Sequence, residues 1–168
     1  IEAFMLAQKR IKATLVLVGN AATDDPEGQH VFESLLRYRA ERIIISEEGD
    51  DTDLINALQR RSTVIVQKSI REGFGLTVTE AMWKGTPVIG GNVGGIRHQI
   101  RNGHNGYLVS SIREAADQMV ALVKNKKLRN QLGRAARQTV KDKFLLTRYL
   151  EQYLDLFNAF ETEIRLRD

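Results

Sequence analysis

Short apolar runs alternate with amphipathic stretches along most of the chain. The apolar runs predict strands over residues 14–18, 42–46, 63–67, 85–90 and 107–109. Apolar residues at helical spacing predict helices over residues 1–10, 29–40, 51–60, 75–84 and 96–101, the third of them with Asp51 as its N-cap. Short strands that alternate with helices are typical of a parallel sheet with right-handed crossovers. The chain is therefore predicted to be an α/β domain.

Two details of this pattern lead to specific expectations. The first run, residues 14–18, is continuously apolar and predicts a strand that is buried on both faces. Residues 21–28 are rich in turn-forming residue types and predict a loop.

Helical patterns continue from Ser111 to the end of the chain. Ser111 and Glu114 form a capping box, Ser-x-x-Glu, which predicts a helix to about residue 124. The pattern breaks near residue 125 and between 144 and 147. We predict one domain over residues 1–168, in which residues 111–168 form a C-terminal helical extension.

The loop after the third predicted strand carries the strongest candidate chemistry. Glu72 and Glu80 bracket Gly73 and Gly75, and the loop leads into a predicted helix. Strand, glycine-containing loop and helix together direct backbone N–H groups at an anion. Two carboxylates would repel a lone anion, but they accept hydrogen bonds from sugar hydroxyls on either side of a diphosphate. This pattern predicts a nucleotide-sugar site.

Glycine is concentrated where the predicted strands end. These glycines are Gly19, Gly49, Gly73, Gly75 and those of residues 90–95. In a parallel sheet they would share one edge, where ligands bind. For Gly94 and Gly95 two interpretations stand equally: close approach to a ligand, or a tight turn.

Other residues of the loop also have alternative interpretations. Thr77-x-x-Glu80 is itself a capping-box pattern, and capping alone would account for Glu80. Arg71 is either a phosphate ligand or a solvated neighbour of Glu72. Gly73-x-Gly75 completes neither a Walker loop nor a dinucleotide-binding fingerprint.

Composition narrows the classes of function. The chain has no cysteine, which excludes disulfides and thiolate metal sites, and no metal or cofactor is implied. No apolar run reaches the length of a membrane span, and we expect a cytoplasmic protein. The net charge of +4 comes from basic residues on C-terminal helical patterns without interleaved aromatics, so nucleic-acid binding is not predicted. A homodimer is an alternative to a monomer that the composition does not exclude.

The loop and its flanks resemble one enzyme family. The motif Glu72-Gly-Phe-Gly-Leu-Thr-x-x-Glu80, followed by Gly85-Thr-Pro-Val-Ile and Val93-Gly-Gly-Ile, resembles the retaining GT-B glycosyltransferases of the glycogen-synthase and sucrose-synthase kind. The likeness extends over nearly the whole chain. With Asp24-Asp-Pro-Glu-Gly, it is most similar to trehalose-forming glycosyltransferases.

The resemblance implies a Rossmann-like C-terminal half of a GT-B fold with extra C-terminal helices. It implies a nucleoside diphosphate glucose as donor, a sugar as acceptor, and an N-terminal GT-B domain that this chain lacks. Glu72 would be the catalytic residue and would contact hydroxyls of the donor sugar, while Glu80 would contact the ribose. The implied donor-binding residues are Gly19, Arg71, Gly73, Phe74, Gly75, Leu76, Thr77, Glu80, Gly94 and Gly95.

Alternatives within and outside this family remain. They are a trehalose phosphorylase, another hexosyltransferase and a non-catalytic nucleotide-sugar-binding module. The chain starts at Ile1 within a helical pattern, so we expect an N-terminally truncated fragment. The family's Arg and Lys phosphate clamp belongs to the preceding segment, and the fragment alone is expected to be inactive.

Overall fold

The structure, a computed structural model, describes residues 1–19 and 26–165. The strands are β1 (Leu15–Val18), β2 (Ile43–Ser46), β3 (Ile65–Gln67), β4 (Val88–Gly91) and β5 (Tyr107–Val109). The helices are α1 (Glu2–Ala7), α2 (Pro26–Leu36), α3 (Thr52–Arg61), α4 (Leu76–Trp83), α5 (Ile96–Gln99), α6 (Ile112–Lys124), α7 (Lys126–Lys143) and α8 (Leu146–Arg165). Each predicted strand and helix is present, with ends that differ by a few residues. The α/β class is confirmed.

The strands form two parallel ladders. β1 pairs with β2, and β4 pairs with both β3 and β5, all in parallel. The prediction of a single sheet is wrong for the described residues, because none of their strands joins β1 to β3. Apolar runs identify strands but not their hydrogen-bonding partners. Both ladders still contribute to one hydrophobic cluster, which includes Ile43 and Ile45 of β2 and Ile89 of β4.

The prediction that the first strand is buried on both faces is also wrong. Val16 of β1 and its register partner Ile44 of β2 are exposed. Leu15 and Leu17 instead pack against the core. A continuous apolar run does not reveal which of the two faces is covered.

The helix α2 starts earlier than the sequence predicts. Pro26 is its first residue, so residues 26–28 are helical rather than part of the predicted loop. Proline is tolerated in the first helical turn because the amide hydrogen it lacks has no intrahelical acceptor there. The rest of the predicted loop, residues 21–25, lies outside the described residues.

Side-chain caps define the starts of two predicted helices. Asp51 accepts from the backbone N–H groups of Asp53 and Leu54, at 3.0 and 2.9 Å, and begins α3. Ser111 accepts from the N–H of Glu114 at 3.1 Å and begins α6. Both predicted N-caps are confirmed.

The C-terminal helices differ in their packing. α6 packs on α1 and β5, and α7 packs on α4 and α6. In α8 the side chains of Leu146–Phe160 are exposed, including a series of aromatic rings formed by Tyr149, Tyr153 and Phe157. Within the described ranges, no helix combines the length and apolarity that crossing a membrane requires.

The α4–α7 contact depends on two glycines. A Cβ atom added at Gly133 of α7 would overlap the backbone carbonyl oxygen of Gly85, which directly follows the end of α4 at Lys84. Gly133 therefore allows the two helices to approach closely.

Replacing Gly133 by alanine should lower stability, because the added methyl group must push α7 away from the end of α4. We expect Gly133→Ala to cost about 1–3 kcal/mol, as overpacking of a well-packed contact does. Thermal unfolding of the full-length protein measures it. Gln131→Ala, on the exposed side of the same helix, should change stability by less than about 0.5 kcal/mol. Equal melting temperatures for the two variants would contradict the packing argument.

Candidate functional site

The loop between β3 and α4 ends in a left-handed glycine. Gly75 is the N-cap of α4, has a φ of 86° and makes no side-chain cap. A Cβ there would also lie 3.3 Å from the side chains of Glu72 and Ile96. The first N–H groups of a helix have no acceptor within the helix, and the helix dipole is positive at this end. The start of α4 therefore offers N–H donors to an anion.

Glu72 is half-buried in this loop and is oriented by two polar neighbours. Its Oε2 atom accepts from Ser69 Oγ at 3.2 Å and from Gln67 Nε2 at 3.5 Å. Gln67 Nε2 also donates to Ser69 Oγ at 3.1 Å. Neutral groups thus hold the carboxylate in place, and none of the ion pairs between described residues involves it.

Glu80 lies on α4 and is exposed. Its Oε2 atom accepts from Gln59 Nε2 of α3 at 2.8 Å. The capping interpretation of Glu80 is wrong, because the N-cap is Gly75 and Thr77 lies inside the helix. Since the carboxylate does not cap the helix, it is available to a ligand.

Gly94 and Gly95 pack against the loop that carries Glu72. Cβ atoms at these positions would overlap the carbonyl oxygens of Glu72 and Gly73, respectively. The N–H of Gly95 donates to the Glu72 carbonyl at 3.2 Å, and Gly94 has a φ of 44°. The two glycines therefore allow the loops after β3 and β4 to touch through their backbones.

Phe74 is held at both its backbone and its ring. Its carbonyl accepts from Nε2 of the buried Gln99, and its ring stacks edge-on against Phe144 with centroids 5.8 Å apart. Phe74 is nevertheless 43% exposed. The loop is thus braced by α5 and by the junction between α7 and α8.

The remaining predicted residues lie on or beyond this loop. Leu76 is exposed and Thr77 is half-buried in the first turn of α4. Arg71 is exposed, and none of the ion pairs among the described residues includes it. Gly19 follows β1, and its N–H donates to the Ser46 carbonyl at 3.3 Å. No hydrogen bond within the described ranges links Gly19 to the Glu72 loop.

Sequence reasoning missed three glutamines. Gln59 holds Glu80, Gln67 holds Glu72, and Gln99 holds the Phe74 carbonyl. For two of them the sequence contains a signal, which is a polar residue at a position where the apolar pattern predicts burial. Gln59 is one turn after Ile55 on the apolar side of α3, and Gln67 ends an apolar strand. In the described part of the chain, no group of three or more His, Asp and Glu residues could hold a metal ion.

Comparison with known proteins identifies the family. Residues 1–139 match the family described as glycosyl transferases group 1. A trehalose synthase of Thermococcus litoralis is 45% identical over 157 residues, which cover 91% of this chain and 38% of that protein. A trehalose phosphorylase of Pleurotus pulmonarius is 33% identical over 104 residues, covering 57% of this chain and 14% of that protein. The chain thus spans about two fifths of the trehalose synthase that it matches.

Comparison of the fold with solved structures indicates the same family. The C-terminal domain of a glycosyl transferase group 1 family protein (LpcC) from Francisella tularensis superposes with a TM-score of 0.74 and 28% identity, over 86% of this chain and 77% of that domain. The parallel strands and their flanking helices therefore match the C-terminal domains of GT-B glycosyltransferases, and the chain belongs to the glycosyl transferases group 1 family.

Proposed function

We propose that this chain is the donor-binding domain of a retaining glycosyltransferase that transfers glucose from a nucleoside diphosphate glucose to glucose, forming trehalose. The observation that carries the proposal is the pair of oriented carboxylates, Glu72 and Glu80, on either side of the uncapped start of α4. A nucleotide sugar has the matching order of groups: a hydroxyl-rich sugar, a diphosphate and a ribose.

The diphosphate lies at the start of α4 in this proposal. The N–H groups of Leu76 and Thr77 donate to it, and the positive end of the helix dipole faces it. The exposed guanidinium of Arg71 adds positive charge on the loop. As the bond to the sugar breaks, negative charge grows on the departing diphosphate, and these donors stabilise it. The proposal requires no metal ion.

In this proposal each carboxylate binds one of the two sugars of the donor, the transferred glucose or the ribose. Glu72, on the loop, accepts from hydroxyls of the transferred glucose. Glu80 lies about 6 Å further along the helix axis than Leu76, at about 1.5 Å per residue, and accepts from the ribose. Hydroxyl donors suit carboxylates that no cation has neutralised. No enzyme nucleophile is needed if the leaving phosphate assists the attack of the acceptor hydroxyl, which the remainder of the full-length protein would bind.

The identity of the product is tested directly. The full-length protein is incubated with glucose and a panel of nucleoside diphosphate glucoses, and the disaccharide is identified. We expect trehalose, in keeping with the similarity to trehalose synthase. A different disaccharide would exclude the acceptor proposed here, and no transfer from any nucleotide donor would exclude the reaction.

The similarity to a trehalose phosphorylase supports a second candidate. In that reaction inorganic phosphate cleaves trehalose and no ribose is present. Incubation of the full-length protein with trehalose and phosphate distinguishes the two, because only a phosphorylase releases glucose 1-phosphate. Replacement of Glu80 should then leave the phosphate reaction unaffected, since it has no ribose to bind.

Removing the charge of Glu80 should weaken donor binding. In Glu80→Gln the hydrogen bonds from the ribose hydroxyls lose their charged acceptor, and such bonds contribute about 1.5–3 kcal/mol. We expect the Kd of UDP-glucose or ADP-glucose to rise by about 10- to 100-fold in the full-length protein. Isothermal titration calorimetry measures it. The matched control is Glu33→Gln, an exposed carboxylate on α2, and equal Kd values for both variants would rule out a donor-binding role for Glu80.

Substitution of Gly94 tests the contact between the two loops. A methyl group there must displace the Glu72 carbonyl, so Gly94→Ala should lower donor affinity as well as stability. Gly103→Ala is the control, because Gly103 also has a positive φ, 75°, but has open space around its Cβ position. Both variants carry about 1–2 kcal/mol of backbone strain. Only Gly94→Ala should weaken donor binding at a temperature where both are folded; equal affinities would contradict this.

A further inference from the structure

Gln59 is a nearly completely buried polar residue beside the proposed ribose site. It lies on α3 and is only 3% exposed. A buried amide must satisfy its donors and acceptors within the protein. Because the inward-facing neighbours of Gln59 on α3, Leu54, Ile55 and Leu58, are apolar and half-buried, an apolar residue would be the ordinary choice at this position too. The glutamine therefore calls for a specific explanation.

The partners of Gln59 determine which way its amide points. Its Oε1 accepts from the ammonium of Lys84, and its Nε2 donates to Glu80 Oε2 at 2.8 Å. An ammonium group can only donate, so the oxygen must face Lys84 and the NH₂ group must face Glu80. The backbone carbonyl of Gln59 accepts from Thr86 Oγ1 at 2.6 Å, which anchors α3 just beyond α4.

This arrangement restricts Glu80 while keeping its charge available. An exposed glutamate normally samples several rotamers, and a ligand that needs one of them bears the entropic cost of ordering it. The Gln59 hydrogen bond selects one orientation in advance and uses only Oε2. Among the described residues, Glu80 Oε1 has no hydrogen-bond partner.

We propose that Gln59 is a positioning residue that sets Glu80 to bind the ribose, and that it thereby makes the protein selective for ribonucleotide over 2′-deoxyribonucleotide donors. This inference rests on the proposed donor-binding function. With Glu80 fixed, a ribose offers two vicinal hydroxyls to one carboxylate, and a 2′-deoxyribose leaves part of that acceptor without a partner. With Glu80 free to rotate, the carboxylate adapts to either sugar and the preference falls.

The test uses the full-length protein and two donors, UDP-glucose and 2′-deoxy-UDP-glucose, or the ADP pair if the adenine donor is the one that binds. Gln59→Met has a similar shape without hydrogen-bonding groups, and Gln59→Leu is measured in parallel in case one variant does not fold. Asn56→Ala is the control, since Asn56 is exposed on the same helix and its side chain accepts from Arg60 Nε rather than contacting Glu80 in the part of the chain that the structure describes.

We expect each folded Gln59 variant to raise the KM for the ribose donor by about tenfold, because the donor must then bear the entropic cost of ordering the Glu80 side chain. The value of kcat should stay within about twofold, because the residue does not touch the reacting atoms. The preference for ribose over deoxyribose should fall at least about threefold. Asn56→Ala should match the wild type in its KM, its kcat and its preference for ribose over deoxyribose.

A double-mutant cycle separates positioning from a general structural effect. In a Glu80→Gln background, Gln59→Met should produce no further change in KM, because its only route to the donor is Glu80. Additive effects would overturn the inference.

Three other outcomes are distinguishable. If the wild type prefers ribose and the Gln59 variants retain its KM and preference, the inference fails while the proposed function stands. If the wild type has no ribose preference and Glu80→Gln binds donor normally, Glu80 does not bind the ribose and the inference fails; if the wild type transfers glucose from no nucleotide donor, the proposed function fails and the inference fails with it.

Discussion

The backbone contact between the loops after β3 and β4 is the constraint on which the site depends. The N–H of Gly95 donates to the Glu72 carbonyl, and Gly94 leaves no room for a side chain against the same carbonyl. Such an approach requires residues without a Cβ atom. Because the two loops touch directly, the carboxylate of Glu72 keeps one position relative to the start of α4. The edge that carries the candidate site is therefore built as a unit.

This unit is anchored through the core side of α4. Val78, Ala81 and Met82 are fully buried and pack in a cluster with Val88 of β4 and Ile96 of α5. Burying a large aliphatic side chain contributes about 1.5–3 kcal/mol. The same helix presents Glu80 on its exposed side. Packing of the buried face of α4 therefore fixes the position of Glu80 on its exposed face. The contact between Gly85 and Gly133 of α7 further stabilises this helix.

Both carboxylates are oriented by neutral partners. Gln59 holds Glu80, while Ser69 and Gln67 hold Glu72. A lysine or arginine in these places would also fix the carboxylate, but it would offset the negative charge and compete with sugar hydroxyls. Amide and hydroxyl donors restrict rotation and preserve the charge. That combination suits binding of an uncharged, hydroxyl-rich ligand more than it suits stability.

The sequence by itself determined the alternation of strands and helices, the caps at Asp51 and Ser111, and the loop with its two glutamates. These features depend on neighbours close in the chain, where periodicity and capping chemistry are readable. Only the tertiary structure decided that the strands form two ladders, that Val16 and Ile44 are exposed, and that Gly94–Gly95 support the Glu72 loop. It also revealed the partner of Gln59, because a polar residue on the apolar side of α3 indicates burial but not a hydrogen bond to a residue 21 positions away.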